Sequence, residues 1–150
     1  MDSFSEPFTL HVSADPLAKG RPRFYSGRVV TPKDTRAYEK LCAAMIRKGW
    51  GIRPVLDCAV KVELDFRMQR PTGKKAAVSL WAYCKPMPDI DNLAKAVLDA
   101  GNEIIWTDDV RICALTVRKI FVESNPGFTL RVFQLSGKWD EARAETVDMA

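Results

Sequence analysis

Residues 88–112, PDIDNLAKAVLDAGNEIIWTDDVRI, constrain this chain more tightly than any other stretch. Apolar side chains recur at Ile90, Leu93, Ala94, Val97, Leu98, Ile104 and Ile105, the spacing of a helix with one core-facing stripe. On the remaining arc Asp91, Lys95 and Asp99 follow at intervals of four and project to one side. Asp89 and Asp91 open the helix, and Asp108 and Asp109 close the stretch. Gly101 and Asn102 suit a helix end, although Glu103 to Trp106 also fit one further turn.

Four carboxylates and a lysine in so short a span call for a physical reason. Acids close together repel, and burying them is costly unless a cation or a proton compensates. A hard divalent cation such as Mg2+ prefers oxygen ligands and is commonly held by one or two carboxylates, waters and a substrate phosphate. Such an ion activates water and stabilises charge developing on a phosphodiester, and a nearby lysine adds positive charge for the same anion. The plainer alternative makes Asp89 a helix cap, Asp91 a favourable first-turn acid and Asp108–Asp109 a polar turn. Residue types alone leave both readings open.

The flanking chain supplies the rest of an α+β pattern. Phe8 to Val12 alternates as a strand, and residues 13–22 form a loop carrying Lys19 and Arg21. Arg23-Phe-Tyr and Arg28-Val-Val flank Ser26-Gly27 as a short hairpin. Arginine among aromatics there suits phosphates and exposed or distorted bases. A helix is predicted from about Asp34 to Lys48, with Tyr38, Leu41, Cys42, Met45 and Ile46 inward. Lys33 at its start and Arg36, Lys40, Arg47 and Lys48 off that stripe are available to DNA. Val55 to Met68 alternates as a long half-buried strand. A basic loop, Arg70 to Lys75, carries Lys74 and Lys75, and residues 76–83 form either a short strand or the return of that loop. Val110 to Val122 and Phe128 to Leu135 are predicted strands, joined at Asn125-Pro-Gly127 into an antiparallel hairpin. Asp109, at the start of the first of them, is thereby returned toward Asp89 and Asp91.

Charge is divided along the chain. Between Lys19 and Arg53 there are ten Lys/Arg against two Asp/Glu, an excess of eight positive charges. From Asp89 to Ala150 seven basic residues face eleven acidic ones, an excess of four negative charges. A basic half attracts phosphates while an acidic cluster holds a cation. Cys42, Cys58, Cys84 and Cys113 lie far apart with His11 as the one histidine, a pattern that argues against a zinc site and for reduced, mostly buried thiols. No apolar run is long enough to span a bilayer, and MDSFSEPF lacks the basic and apolar regions of a signal peptide, so a cytoplasmic location is expected. No glycine precedes Gly-Lys-Lys at the spacing of a phosphate-binding loop, so no nucleotide cofactor is expected.

PDIDNLAKAVLDA followed by WTDDVRI resembles the RusA family of Holliday-junction endonucleases, and KGRPRFYSGRVVTPKDTRAYEK is similar to its phage-type members. The resemblance runs from about Val12 to Leu135. It implies a homodimeric, Mg2+-dependent endodeoxyribonuclease (Mn2+ being a possible substitute) that makes paired cuts in branched, four-way DNA. By position it implies metal ligands at Asp89, Asp91 and Asp109, with Asp108 ranked below them, and a catalytic lysine at Lys95. The fold expected is α+β: one domain, a mixed and largely antiparallel sheet of about four strands packed against two helices. Residues 1–7 and 136–150 are expected to be flexible tails. Two rival functions use the same residues, a metal-dependent nucleotide phosphohydrolase and a branched-DNA-binding protein that does not cut.

Overall fold

β4 (Val60–Gln69) is the strand against which the others are arranged. Val60, Val62, Leu64 and Phe66 are fully buried while the residues between them are half-exposed, so period-two patterning gives it one core face. The computed structural model describes residues 7–17, 23–25, 28–30, 33–70 and 89–135, the segments 23–25 and 28–30 by backbone only. The predicted tails at 1–6 and 136–150, the 76–83 strand or loop return, Cys84, and Lys19, Arg21, Lys74 and Lys75 lie outside the described residues.

In chain order follow β1 (Phe8–Val12), β2 (Arg23–Tyr25), β3 (Arg28–Val30), α1 (Lys33–Trp50), β4, α2 (Ile90–Gly101), a 3-10 turn (Asp109–Arg111), β5 (Ile112–Val122) and β6 (Gly127–Gln134). Four strands form one sheet in the order β1-β6-β4-β5. β1 and β4 pair antiparallel with β6, whereas β4 and β5 run parallel. β2 and β3 form the expected separate hairpin, with Arg23 opposite Val30 and Tyr25 opposite Arg28. The fold is thus α+β, with a mixed sheet and two helices, as the pattern predicts. Among the described residues no helix is long and apolar enough to cross a membrane.

The helices cover one face of the sheet. Tyr38, Cys42, Ile46 and Trp50 of α1 and Leu93, Ala94, Ala96, Val97 and Ala100 of α2 join Phe128, Leu130 and Val132 of β6 in a single core. Each large side chain so buried contributes about 1.5–3 kcal/mol. Burial also pushes the Cys42 thiol up to about 11, which keeps it an inert thiol at neutral pH.

Four expectations require correction. The antiparallel β5–β6 hairpin does not form. α2 carries the chain back across the sheet before β5 begins, and a crossover of that kind aligns β5 parallel to β4. β6, buried over most of its length, takes an inner position, while among the described residues β5 is an edge strand with Cys113 to Thr116 exposed. The long strand starts at Val60 rather than Val55, since Leu56 instead makes an isolated bridge to Trp106. α2 ends at Gly101 with Asn102 as its cap, the first of the two readings above, and the further turn does not form: Glu103 has φ +65° and its N–H donates to the Trp106 carbonyl at 2.8 Å, closing a tight return. Of the thiols expected to be mostly buried, Cys113 is exposed. Leu41, assigned to the α1 stripe, is 47% exposed.

On the open face of the sheet Asp65 joins three strands. Arg118 of β5 donates to both its carboxylate oxygens at 2.7 and 3.0 Å, and Arg131 of β6 donates to Oδ2 at 3.2 Å. These bonds, the Arg118 one foremost, hold the Asp65 carboxyl below the usual carboxylate range. A depressed folded-state pKa adds stability above the unfolded value of about 3.9 that is lost as pH falls through the folded value. Asp65→Asn is therefore expected to cost about 1.5–3 kcal/mol at pH 7, a penalty that begins to shrink below about pH 4 and disappears only at a pH below the depressed folded-state value. Urea melts of both proteins at pH 7 and at a pH below that value check this; an equal penalty at both would remove the electrostatic explanation.

Candidate active site

The site is built where α2 begins and where the chain re-enters the sheet. Asp89 stands just before α2 with extended backbone, and its carbonyl accepts from Leu93 N–H at 3.1 Å. Its carboxylate makes no capping hydrogen bond, so the plainer reading of Asp89 as a side-chain cap is not realised. Asp91, in the first turn, is exposed and accepts a local bond from Asn92 N–H at 3.0 Å.

One turn further on, Lys95 is the hub. Its Nζ lies 3.1 Å from Asp99 Oδ1 and 3.2 Å from Asp109 Oδ2. The hydrogen bond to Asp99, and next that to Asp109, raise the Lys95 pKa above its ordinary value. Asp109 reaches this position because the return after α2 is held firmly. Trp106 is fully buried, its indole N–H donates to Asn102 Oδ1 at 2.9 Å, and Thr107 N–H donates to the Leu56 carbonyl at 3.0 Å. Arg111 then pairs with Asp57 at 2.6 Å, fixing the far side of the turn.

Asp108 is used differently. Its Oδ1 accepts from Val110 N–H at 3.2 Å, capping the 3-10 turn, and that bond foremost lowers its pKa. Of the two adjacent acids, Asp109 faces Lys95 and Asp108 serves the turn.

Among the depressions that border this cluster, two bring charged side chains of both signs together. One of about 260 Å³ is walled by Ile90, Ala94, Leu98, Leu115 and Val117, with Asp91 and Lys95 on its lining; apolar walls of this kind focus the field of nearby charges. The other, about 330 Å³, lies between α1 and the end of α2 and is lined by Arg36, Lys40, Arg47, Glu39 and Asp99 among others. Arg36 and Lys40 thus share a cleft with the acid that holds Lys95. Lys33 is exposed at the α1 start, and the backbones of Arg23 and Arg28 lie in the β2–β3 hairpin. Asp99 was absent from the site residues inferred from the sequence, although the four-residue interval Lys95–Asp99 was a signal for it; Arg47, read there as available to DNA, lies in the same cleft.

Asp89, Asp91 and Asp109 offer the hard oxygen ligands that Mg2+ or Mn2+ takes. Among the described residues no three His, Cys, Asp or Glu side chains are gathered closely enough to hold a metal ion, and the cation beside Asp109 is the Lys95 ammonium. The donor chemistry and exposure fit a divalent ion, and mutual repulsion between carboxylates opposes their gathering without one.

Residues 13–133 match the family described as Endodeoxyribonuclease RusA. The chain belongs to the RusA family. The matched span contains Asp89, Asp91, Lys95 and Asp109, so the resemblance carried by PDIDNLAKAVLDA and WTDDVRI is borne out. The chain is also 30% identical over 124 residues to the Uncharacterized protein YqaN of Bacillus subtilis (strain 168), covering 75% of this chain and 86% of that protein. RusA proteins are endodeoxyribonucleases, and hydrolysis of a DNA phosphodiester is the chemistry against which the cluster has to be judged.

Proposed function

We propose that this RusA protein is a Mg2+-dependent endonuclease that resolves Holliday junctions by paired, symmetric cuts. The observation that carries the reading is the meeting of Lys95 with Asp109 at 3.2 Å, fourteen residues apart in sequence, on the flank of the helix that begins with Asp89 and Asp91. Asp89, Asp91 and Asp109 would hold the ion, Mn2+ being a possible substitute, with Asp108 a lesser candidate. Bound there, the ion supplies an activated water and offsets charge at the phosphodiester. Lys95 binds the scissile phosphate and opposes the charge that grows on its oxygens. Lys19, Arg21, Arg23, Arg28, Lys33, Arg36, Lys40, Lys74 and Lys75 grip the backbone, which fixes orientation without reading sequence. A homodimer would present two such sites to a substrate that is itself nearly two-fold.

The test is cleavage of a synthetic four-way junction beside a linear duplex of the same sequence, with Mg2+ and with chelator. Symmetric nicks confined to the junction and lost with chelator are expected. Junction binding without cutting under Mg2+ or Mn2+ would leave a branched-DNA binder, and cutting without preference for the junction would overturn the resolvase reading. Replacing Arg36 and Lys40 together by Ala should lower the slope of log K against log salt by about 1.8, at roughly 0.9 per phosphate contact. An unchanged slope would take both residues off the DNA.

A further inference from the structure

We propose that Asp99 is a positioning residue for Lys95, holding its ammonium beside the site when Asp109 turns to a divalent cation. The inference rests on the reading of Asp109 as a metal ligand.

The ammonium is shared almost evenly, at 3.1 Å from Asp99 and 3.2 Å from Asp109. If Asp109 were its sole partner, ammonium and cation would compete for one carboxylate. A second carboxylate changes this, because Lys95 can give up Asp109 and remain anchored one helical turn away. Local helix energetics favour an acid there only weakly. Asp99 lies near the C-terminal end of α2, whose last turn holds no basic residue, and the helix dipole disfavours negative charge at that end. A lysine four residues before an acid is also the weaker of the two orders for such a pair. Asp99 is only 19% exposed and lines the cleft that holds Arg36, Lys40 and Arg47. It therefore stands between the basic face of α1 and the ammonium, where it sets how far Lys95 can move away from the acids.

The experiment is calorimetric titration of the metal-free protein with Mn2+, without DNA, in a double-mutant cycle. Asp99→Asn is expected to weaken Mn2+ binding about two- to fivefold, the range of a partly exposed ion pair, and to change nothing in a Lys95→Ala background. Lys95→Ala alone should tighten Mn2+ binding, a result independent of whether the Asp99 variant folds. On a four-way junction at saturating Mn2+, Asp99→Asn should lower kcat about tenfold or more with KM unchanged, as for a displaced group, and Asp99→Glu should restore most of the loss. Equal weakening in both backgrounds would make Asp99 a direct contributor of negative charge and overturn the proposal, as would no weakening in either. Absence of Mn2+ binding by the unmodified protein would overturn the metal reading itself and this inference with it.

Discussion

Lys95→Ala is expected to lower single-turnover cleavage of a four-way junction by about 10²–10³-fold, the cost of removing one donor aimed at developing charge. Folding should survive the change. The Lys95 side chain is 51% exposed and touches the fold through two ion pairs, each worth about 0.2–1 kcal/mol at such a surface. Junction binding should also survive, because the loss of one phosphate contact reduces the salt slope by only about 0.9. Asp89→Asn and Asp109→Asn are expected to behave alike for a different reason: under the proposed function each removes a charged metal ligand, so cleavage falls while binding persists. Cleavage by Lys95→Ala within a few-fold of the unmodified protein would remove the lysine from the reaction. Loss of junction binding in step with cleavage would make it a docking residue instead.

Trp106→Ala is expected to lower stability by about 3–5 kcal/mol, as large-to-small changes of an aromatic in a core do. Trp106 is fully buried, and its ring lies where a side chain at Gly101 would stand: a Cβ there would come within 2.7 Å of Cζ2. Removing the indole opens a cavity between the end of α2 and the return to β5, and deprives Asn102 Oδ1 of its 2.9 Å donor. For a chain of this size the melting temperature falls by about 2–4 °C per kcal/mol. Thermal and urea unfolding of the variant measure the effect. A loss below about 1 kcal/mol would mean the return is held by its backbone bonds alone. Trp106→Phe, which keeps most of the ring and loses the N–H, should lie between the two. Because Asp109 follows three residues later, the Ala variant should also cleave more slowly at temperatures where it remains folded.

Much of this architecture was legible in the residues. Period-two alternation identified β1, β4 and β6, and three-and-four spacing identified α1 and α2 to within a few residues, because each needs a single buried face. The acids were legible as a cluster for the same reason: Asp89, Asp91, Lys95 and Asp99 lie on one helix whose geometry is local. The β5–β6 hairpin misled because adjacency in the chain suggests pairing, and no local signal reports that β4 will take the space between two strands. Leu41 was read as inward by spacing, yet among the described residues it is left 47% exposed, and spacing alone cannot say where an apolar face ends.

The chain's own pattern determined the elements, the acid-bearing helix and its family. Tertiary structure alone decided that β5 runs parallel to β4 at the sheet edge, and that Asp109 rather than Asp108 meets Lys95. It also decided that Asp99 takes half of that ammonium, and that Asp89 caps with its backbone while its carboxylate makes no capping bond. The division has a physical cause. Helix and strand periodicity come from bonds between residues near in sequence, whereas strand order and the meeting of α2 with the 3-10 turn come from burying Trp106, Ile104 and Ile105 against distant partners.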